Sequence, residues 1–390
     1  MATCYRNIAS LVSPAAAVGE LIVITDAAMV VENGQVSWLG KDSDAPSCET
    51  EVDLMGKTVI PGFVDSHAHL LFAGDRAQEF EARMNGQKYS AGGIASTVAA
   101  TRSATDQELE ANMRRLVSEM TRSGITTFES KSGYGLTTKD ETRALAIGSK
   151  FTPETTFLGA HVVPEEYAHQ PDAYVSLIID DMIDAVLPHT KWIDVFCDEG
   201  AFDIDQSRAI LQAGKTKGLR PRIHAHQLGR NGGVQLAVDL DCASADHCTH
   251  LDDSDIDALA GSQTVATLVP GAEFSTRAPY PDARRLFDAG VSVAIATDCN
   301  PGSSFTTSMA FCLSVAIRDM HFSPEQALWA STMGGAKALR REDIGHLAIG
   351  AVADLTILNA PSYLHLGYRP GVDIISRVIK AGNTSYQRAT

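Results

Sequence analysis

Basic residues are in short supply: 32 Lys and Arg stand against 48 Asp and Glu, a formal net charge of −16. Phosphate-backbone binding needs a basic surface, so this balance argues against a nucleic-acid-binding protein. Beyond that, acidity mainly favours solubility. Long hydrophobic runs are missing too. No uninterrupted apolar stretch approaches the roughly 20 residues of a membrane span. The most apolar early segment, Leu11 to Ile24, is broken by Pro14, Gly19 and Glu20. It has neither the basic start nor the cleavage site of a signal peptide. Cysteine is sparse: seven residues, an odd number, with no Cys-x-x-Cys. That speaks against a disulfide framework and for reduced thiols in a cytoplasmic protein. Cys299 is the one near the chemistry proposed below, where a small buried filler is its expected role. There are no internal repeats and no low-complexity tracts.

What is present reads as β-rich ends around an alternating centre. At 390 residues the chain has room for one large domain and a smaller one. Leu21–Thr25, Ala28–Val31 and Gln35–Leu39 are expected strands, and Asn33-Gly34 between the last two is a hairpin signal. Ala353–Leu358 and Asp373–Lys380 are expected strands near the other end. Neither end is long enough to build a good core alone. Residues 1–60 and 345–390 are therefore expected to pair into one small β-sandwich domain, split in sequence by residues 61–344. That centre has expected strand ends near His69, Thr127–Ser130, His161, Asp198, His224, His247, Val269-Pro270 and Asp298. Eight strands separated by helical stretches suit an α/β fold, a (β/α)8 barrel of the TIM type, typically about 250 residues. Thr105-Asp-Gln-Glu108 is a capping box ahead of Leu109, Met113, Leu116 and Met120 on one helix face, with Gly124 as the stop. Ser323-Pro-Glu-Gln326 opens another helix.

The informative residues stand at those strand ends, where such barrels carry their reactive groups. Residues 61–69 read Pro-Gly-Phe-Val-Asp-Ser-His-Ala-His. Strand side chains alternate faces, so His67 and His69 point the same way and make half of a metal site. A lone His-x-His pair is often only surface spacing. Here a second pair follows at His224 and His226, Ala-Asp-His closes at His247, and an apolar strand ends in Thr297-Asp298. His67, His69, His224 and Asp298 are therefore the expected ligands of one Zn2+ or Fe2+/Fe3+ ion, with a position left for water. A metal there would lower the pKa of water towards ~7. Asp298 doubles as proton acceptor. His247 is the next candidate, as a base or as a partner for a developing oxyanion. His226 reads more readily as a packing residue. A second metal would want a bridging carboxylate or carbamylated lysine on a middle strand. Asp198 and Glu199 stand there without a lysine, and Lys131 comes earlier, so one metal is expected.

Longer motifs extend the pattern: Phe72-Ala-Gly-Asp-Arg76, Lys131-Ser-Gly-Tyr-Gly135, Phe157-Leu-Gly-Ala-His161, Ser244-Ala-Asp-His247 and Ala296-Thr-Asp-Cys-Asn-Pro-Gly-Ser-Ser304. With these the chain resembles the amidohydrolase superfamily and, within it, the imidazolonepropionase family, over nearly its whole length. The resemblance implies hydrolysis of the cyclic amide 4-imidazolone-5-propanoate to N-formimidoyl-L-glutamate in histidine degradation. The implied substrate is a small molecule with a carboxylate tail, which a guanidinium recognises bidentately, so Arg76 is the expected anchor. By similarity Tyr134 and His161 contact the ring and its carbonyl. Asn300, Gly302 and Ser303 form a turn that holds the product, and Tyr89 is a weaker candidate. The chain departs from the family at His224-Ala-His226-Gln227, where His-Ala-Asp is usual. Gln227 falls where related deaminases keep a proton-shuttling glutamate, and an amide carries no proton at neutral pH. It stays a candidate catalytic and substrate-binding residue through hydrogen bonds. The alternatives are a deaminase acting on a heterocycle, and a non-catalytic scaffold that has lost its ligands. A homodimer is left open.

Overall fold

A computed structural model describes residues 2–87 and 93–389. Both ends of the chain contribute to one seven-stranded sheet. In spatial order its strands are Asn383–Gln387, Ile375–Lys380, Leu355–Leu358, Thr50–Pro61, Ala2–Pro14, Leu21–Glu32 and Gln35–Lys41. The hairpin turn falls at Asn33 and Gly34, with φ of 51° and 79°, the left-handed pair that a two-residue turn between twisted strands needs. Tyr5, Ile8, Met29, Val36, Val59, Leu355 and Ile379 meet in one buried cluster, so strands from both termini share a core.

The sequence signals describe this sheet incompletely, for a physical reason. Ala2–Pro14 and Thr50–Pro61 pair in parallel, but their register slips beside Asn7, and Met55-Gly56 also takes left-handed conformations. Bulges of this kind break the two-residue alternation that marks a strand. Leu21–Glu32 is likewise one strand interrupted by Asp26 at φ 50°, not two short ones.

The centre is a parallel barrel. Its strands are Phe63–Asp65, Ile125–Phe128 continued by Ser130–Lys131, Thr155–Ala160, Trp192–Cys197, Ile223–Ala225, Ser244–His247, Val265–Leu268 and Val293–Ile295, each paired with the next. Closure comes just past the regular strand ends. Asp298 N donates to His67 O at 2.9 Å and His69 N donates to Cys299 O at 3.0 Å. Thr297 N reaches the Asp65 carboxylate at 3.0 Å. The last strand is thereby stitched to the first at the residues expected to bind metal. Helices pack outside as their caps predict: Asp106–Arg122 carries the capping box and buries Leu109, Met113, Leu116 and Met120. Pro324–Trp329 is capped by Ser323 and Gln326 in the same way. Among the described residues no helix is long and apolar enough to cross a membrane.

Candidate active site and metal centre

His67 and His69 lie on the extended continuation of the first barrel strand, their rings 5.3 Å apart. Asp298 Oδ1 is 3.5 Å from the Nε2 of each. His224, on the fifth strand, brings its Nε2 to 3.4 Å from His69 Nε2. The four expected ligands thus converge at one end of the barrel. Asp298 and His247 hold left-handed conformations, φ 50° and 77°, that side chains other than glycine adopt at a cost of order 1–3 kcal/mol. Here those turns aim the two side chains at the cluster.

The chemistry of the cluster suits a cation. Burial foremost, then neighbouring positive charge, pushes His67 and His69 well below the usual imidazole range, so both are neutral and offer lone pairs. His67 Nε2 is buried and has no hydrogen-bond partner among the described residues, which is costly unless an ion fills that role. Burial drives the Asp298 carboxyl well above the carboxylate range, against hydrogen bonds from Asn300 and Ser303. A bound cation would reverse that shift. Outside the ligands, His67 Nδ1 donates to Asp246 Oδ2 at 2.7 Å, and His224 Nδ1 lies 3.1 Å from Asp194. A proton on Nδ1 leaves Nε2 as the donor atom.

A cavity opens above this cluster. His69, His224, Asp298 and His247 line it, together with Arg76, Tyr134, His161, Gln227, Asn300 and Ser303. Ile94 and Phe196 add apolar wall. His67 sits deeper, fully buried. Tyr89 falls outside the described residues.

Closer geometry refines several expected roles. His161 is pushed down to about 3, chiefly by burial, and its Nδ1 lies 2.9 Å from Gly133 O. The carbonyl can only accept, so Nδ1 carries the proton and His161 Nε2 is an acceptor. It cannot donate to a carbonyl oxygen, as expected from the sequence; it suits a ring N–H. His247 Nδ1 has no partner among the described residues, so no hydrogen bond holds its proton there and His247 is free to donate. The Arg76 guanidinium is buried, with Nε and Nη2 gripped by Glu79 at 2.9 and 2.5 Å. A Cβ on Gly302 would stand 2.3 Å from Arg76 Nη1. The Gly302 amide is spent on Asn300 Oδ1 at 2.8 Å, so that glycine contributes room for the guanidinium. Asn300 is also consumed inside its turn, accepting from Ser303 N and donating to Asp298 O. His226 turns away from the cluster: its Nε2 accepts from Gly232 N, and its Nδ1 faces Asp255 at 3.5 Å.

Sequence reasoning missed the charged layer beneath the ligands. Glu129, Lys131, Asp194, Arg222 and Asp246 are all fully buried to within 1%. The available signal was a charge in the middle of an apolar strand, as in Trp192-Ile-Asp-Val-Phe-Cys197. It also missed Glu141, whose carboxylate accepts from Gly133, Gly135 and Leu136 N and so shapes the turn that presents Tyr134.

Comparison with known proteins agrees with this geometry. The amidohydrolase family model matches residues 58–384. An imidazolonepropionase of Mycolicibacterium smegmatis is 60% identical over 383 residues, covering 98% of this chain and 97% of that protein. One of Streptomyces coelicolor is 61% identical, covering 97% and 98%. Among solved structures, a triazine hydrolase variant superposes with a TM-score of 0.77 at 15% identity, covering 99% of this chain and 95% of that one. Guanine deaminase from C. acetobutylicum with bound guanine gives 0.73 at 14%, covering 99% and 100%. At that identity the likeness speaks for the fold alone. The chain belongs to the amidohydrolase family and, within it, to the imidazolonepropionases.

Proposed function

We propose that this enzyme opens 4-imidazolone-5-propanoate hydrolytically, giving N-formimidoyl-L-glutamate, with one zinc or iron ion held by His67, His69, His224 and Asp298. The observation that carries the reading is one cavity lined both by the ligand cluster and by the Arg76 guanidinium. A substrate with an amide carbonyl at one end and a carboxylate at the other matches those two features. A metal bound there supplies a Lewis acid and an acidified water at neutral pH.

The protein groups account for the rest. Arg76, held in orientation by Glu79, pairs with the propionate tail. His161 Nε2 accepts from the ring N–H, and Tyr134, 5.3 Å from His161 between ring centroids, closes that side. Asp298 takes the proton of the attacking water and delivers it to the ring nitrogen as the C–N bond breaks. His247 donates to the oxygen that gains negative charge. Gln227 orients water or substrate without carrying a proton. A deaminase would benefit from an acid at that position, so Gln227 and Arg76 together favour ring opening over loss of ammonia. A scaffold without chemistry is disfavoured by the retention of all four ligand residues.

The test is kcat against pH for His247→Asn, Asp298→Asn and Gln227→Glu, with metal content measured in each. His247→Asn should lower kcat by a factor on the order of 10²–10³, the range for loss of one donor to a developing oxyanion. Asp298→Asn should be at least as harmful, and Gln227→Glu should keep substantial ring-opening activity. Full activity of metal-loaded His247→Asn would remove that histidine from the mechanism.

A further inference from the structure

We infer that Lys131 is a positioning residue of the metal centre: its ammonium clamps the two carboxylates that orient two of the histidine ligands. The inference deepens the metal reading of the site and rests on it. Lys131 Nζ stands 2.7 Å from Asp194 Oδ2, 2.8 Å from Glu129 Oε1 and 3.8 Å from Asp246 Oδ2. The side chains of all four residues are 0% exposed. The same carboxylates serve the ligands. Asp194 meets His224 Nδ1 at 3.1 Å, and Asp246 meets His67 Nδ1 at 2.7 Å. Glu129 accepts from Ala68 N at 3.1 Å, the backbone amide between His67 and His69. One ammonium therefore touches the carboxylates behind His224 and His67, and the one that holds the backbone between His67 and His69.

The placement explains a feature that burial alone would forbid. A lysine out of water costs several kcal/mol unless paired, and burial by itself would lower the Lys131 pKa. Asp194 and Glu129 outweigh that and raise it, so the ammonium persists. Lys131 comes from the second barrel strand, Asp194 from the fourth and Asp246 from the sixth. The clamp thus spans the barrel interior, gives Asp194 a hydrogen bond besides the one to its histidine, and holds its charge beside Asp246. Arg222 Nη1, 3.1 Å from Glu129 Oε1, and the Thr156 hydroxyl complete the hold on that carboxylate.

Charge and geometry predict opposite signs when Lys131 is removed. By charge alone, deleting a cation near an incoming dication tightens metal binding. If Lys131 positions the ligands, deletion weakens it, by roughly the 10- to 100-fold typical of groups that orient metal ligands. The experiment is the zinc dissociation constant by chelator competition for wild type and Lys131→Met, with circular dichroism and Tm of each metal-free protein. A second variant, Glu129→Gln with Lys131→Met, removes one charge of each sign and guards against a single variant that fails to fold. We expect both variants to bind zinc at least about tenfold more weakly than wild type while folded. Equal or tighter binding by either folded variant overturns the inference. Wild type that binds no zinc or iron would instead overturn the metal reading itself.

Discussion

At the scale of the residue, Arg76 is the most exacting test of substrate choice. Its guanidinium is buried at the cavity and oriented by Glu79. Replacing it by methionine leaves a substrate carboxylate without its partner, at a cost of roughly 2–5 kcal/mol. kcat/KM of Arg76→Met should therefore fall by roughly 30-fold or more; a change under about threefold would mean that the tail is held elsewhere. Glu273 offers an independent check on the electrostatics beside the site. It is buried on the helix Pro270–Thr276, bonded to the Thr249 hydroxyl at 2.7 Å. Burial pushes its carboxyl from 4.5 up to about 7. A raised folded value means that its contribution to stability is complete below the unfolded pKa and is lost as pH rises through about 7. Gln does not titrate. The Tm of Glu273→Gln should gain on wild type between about pH 5 and about pH 8, and a constant gap across that window would contradict the shift. The convergence of His67, His69, His224 and Asp298 was legible because histidine and aspartate stand at successive strand ends of the barrel. The direction of a hydrogen bond was not legible: whether His161 donates or accepts depends on Gly133 O, a backbone atom brought close only by the fold.

At the scale of the element, the barrel strands were readable where they are short and apolar, and the helices where capping boxes open them. The terminal strands were harder, because bulges at Asn7 and Met55-Gly56 and a left-handed Asp26 disturb their alternation. The pairing of sequence ends was also hidden from local pattern, since Leu355–Leu358 finds its register against Thr58–Pro61 across the whole chain. Close approaches were equally invisible. A Cβ on Gly335 would lie 2.2 Å from Val64 O, where the helical segment after Trp329 packs directly on the first barrel strand. Gly335→Ala should cost about 1–3 kcal/mol of stability through overpacking. Thermal unfolding should show a Tm lower by several degrees with kcat little changed per folded molecule. An unaltered Tm would mean that this contact is looser than described.

At the scale of the whole molecule, the chain places its chemistry where the barrel closes. The bonds from Asp298 N to His67 O and from His69 N to Cys299 O join the last strand to the first through the proposed ligands. On the proposed metal reading, binding of the ion and barrel closure are coupled, so removing the ion should lower Tm as well as activity. The charge layer underneath is consistent with this. Three buried carboxylates, Glu129, Asp194 and Asp246, exceed the two buried cations Lys131 and Arg222 by one negative charge. Asp298, ionised by a bound cation, would add a second, and a divalent ion would neutralise both.

The central claim is metal-dependent ring opening of a carboxylate-bearing cyclic amide. Its most direct test is a titration of metal-stripped enzyme with zinc or iron, following the absorbance of freshly generated 4-imidazolone-5-propanoate beside a panel of aminoheterocycles. The account predicts that imidazolonepropionate consumption rises with added metal and saturates at about one ion per chain, as a four-ligand site requires, while the panel is left untouched. Full turnover without metal, or release of ammonia from an aminoheterocycle in place of ring opening, would contradict it.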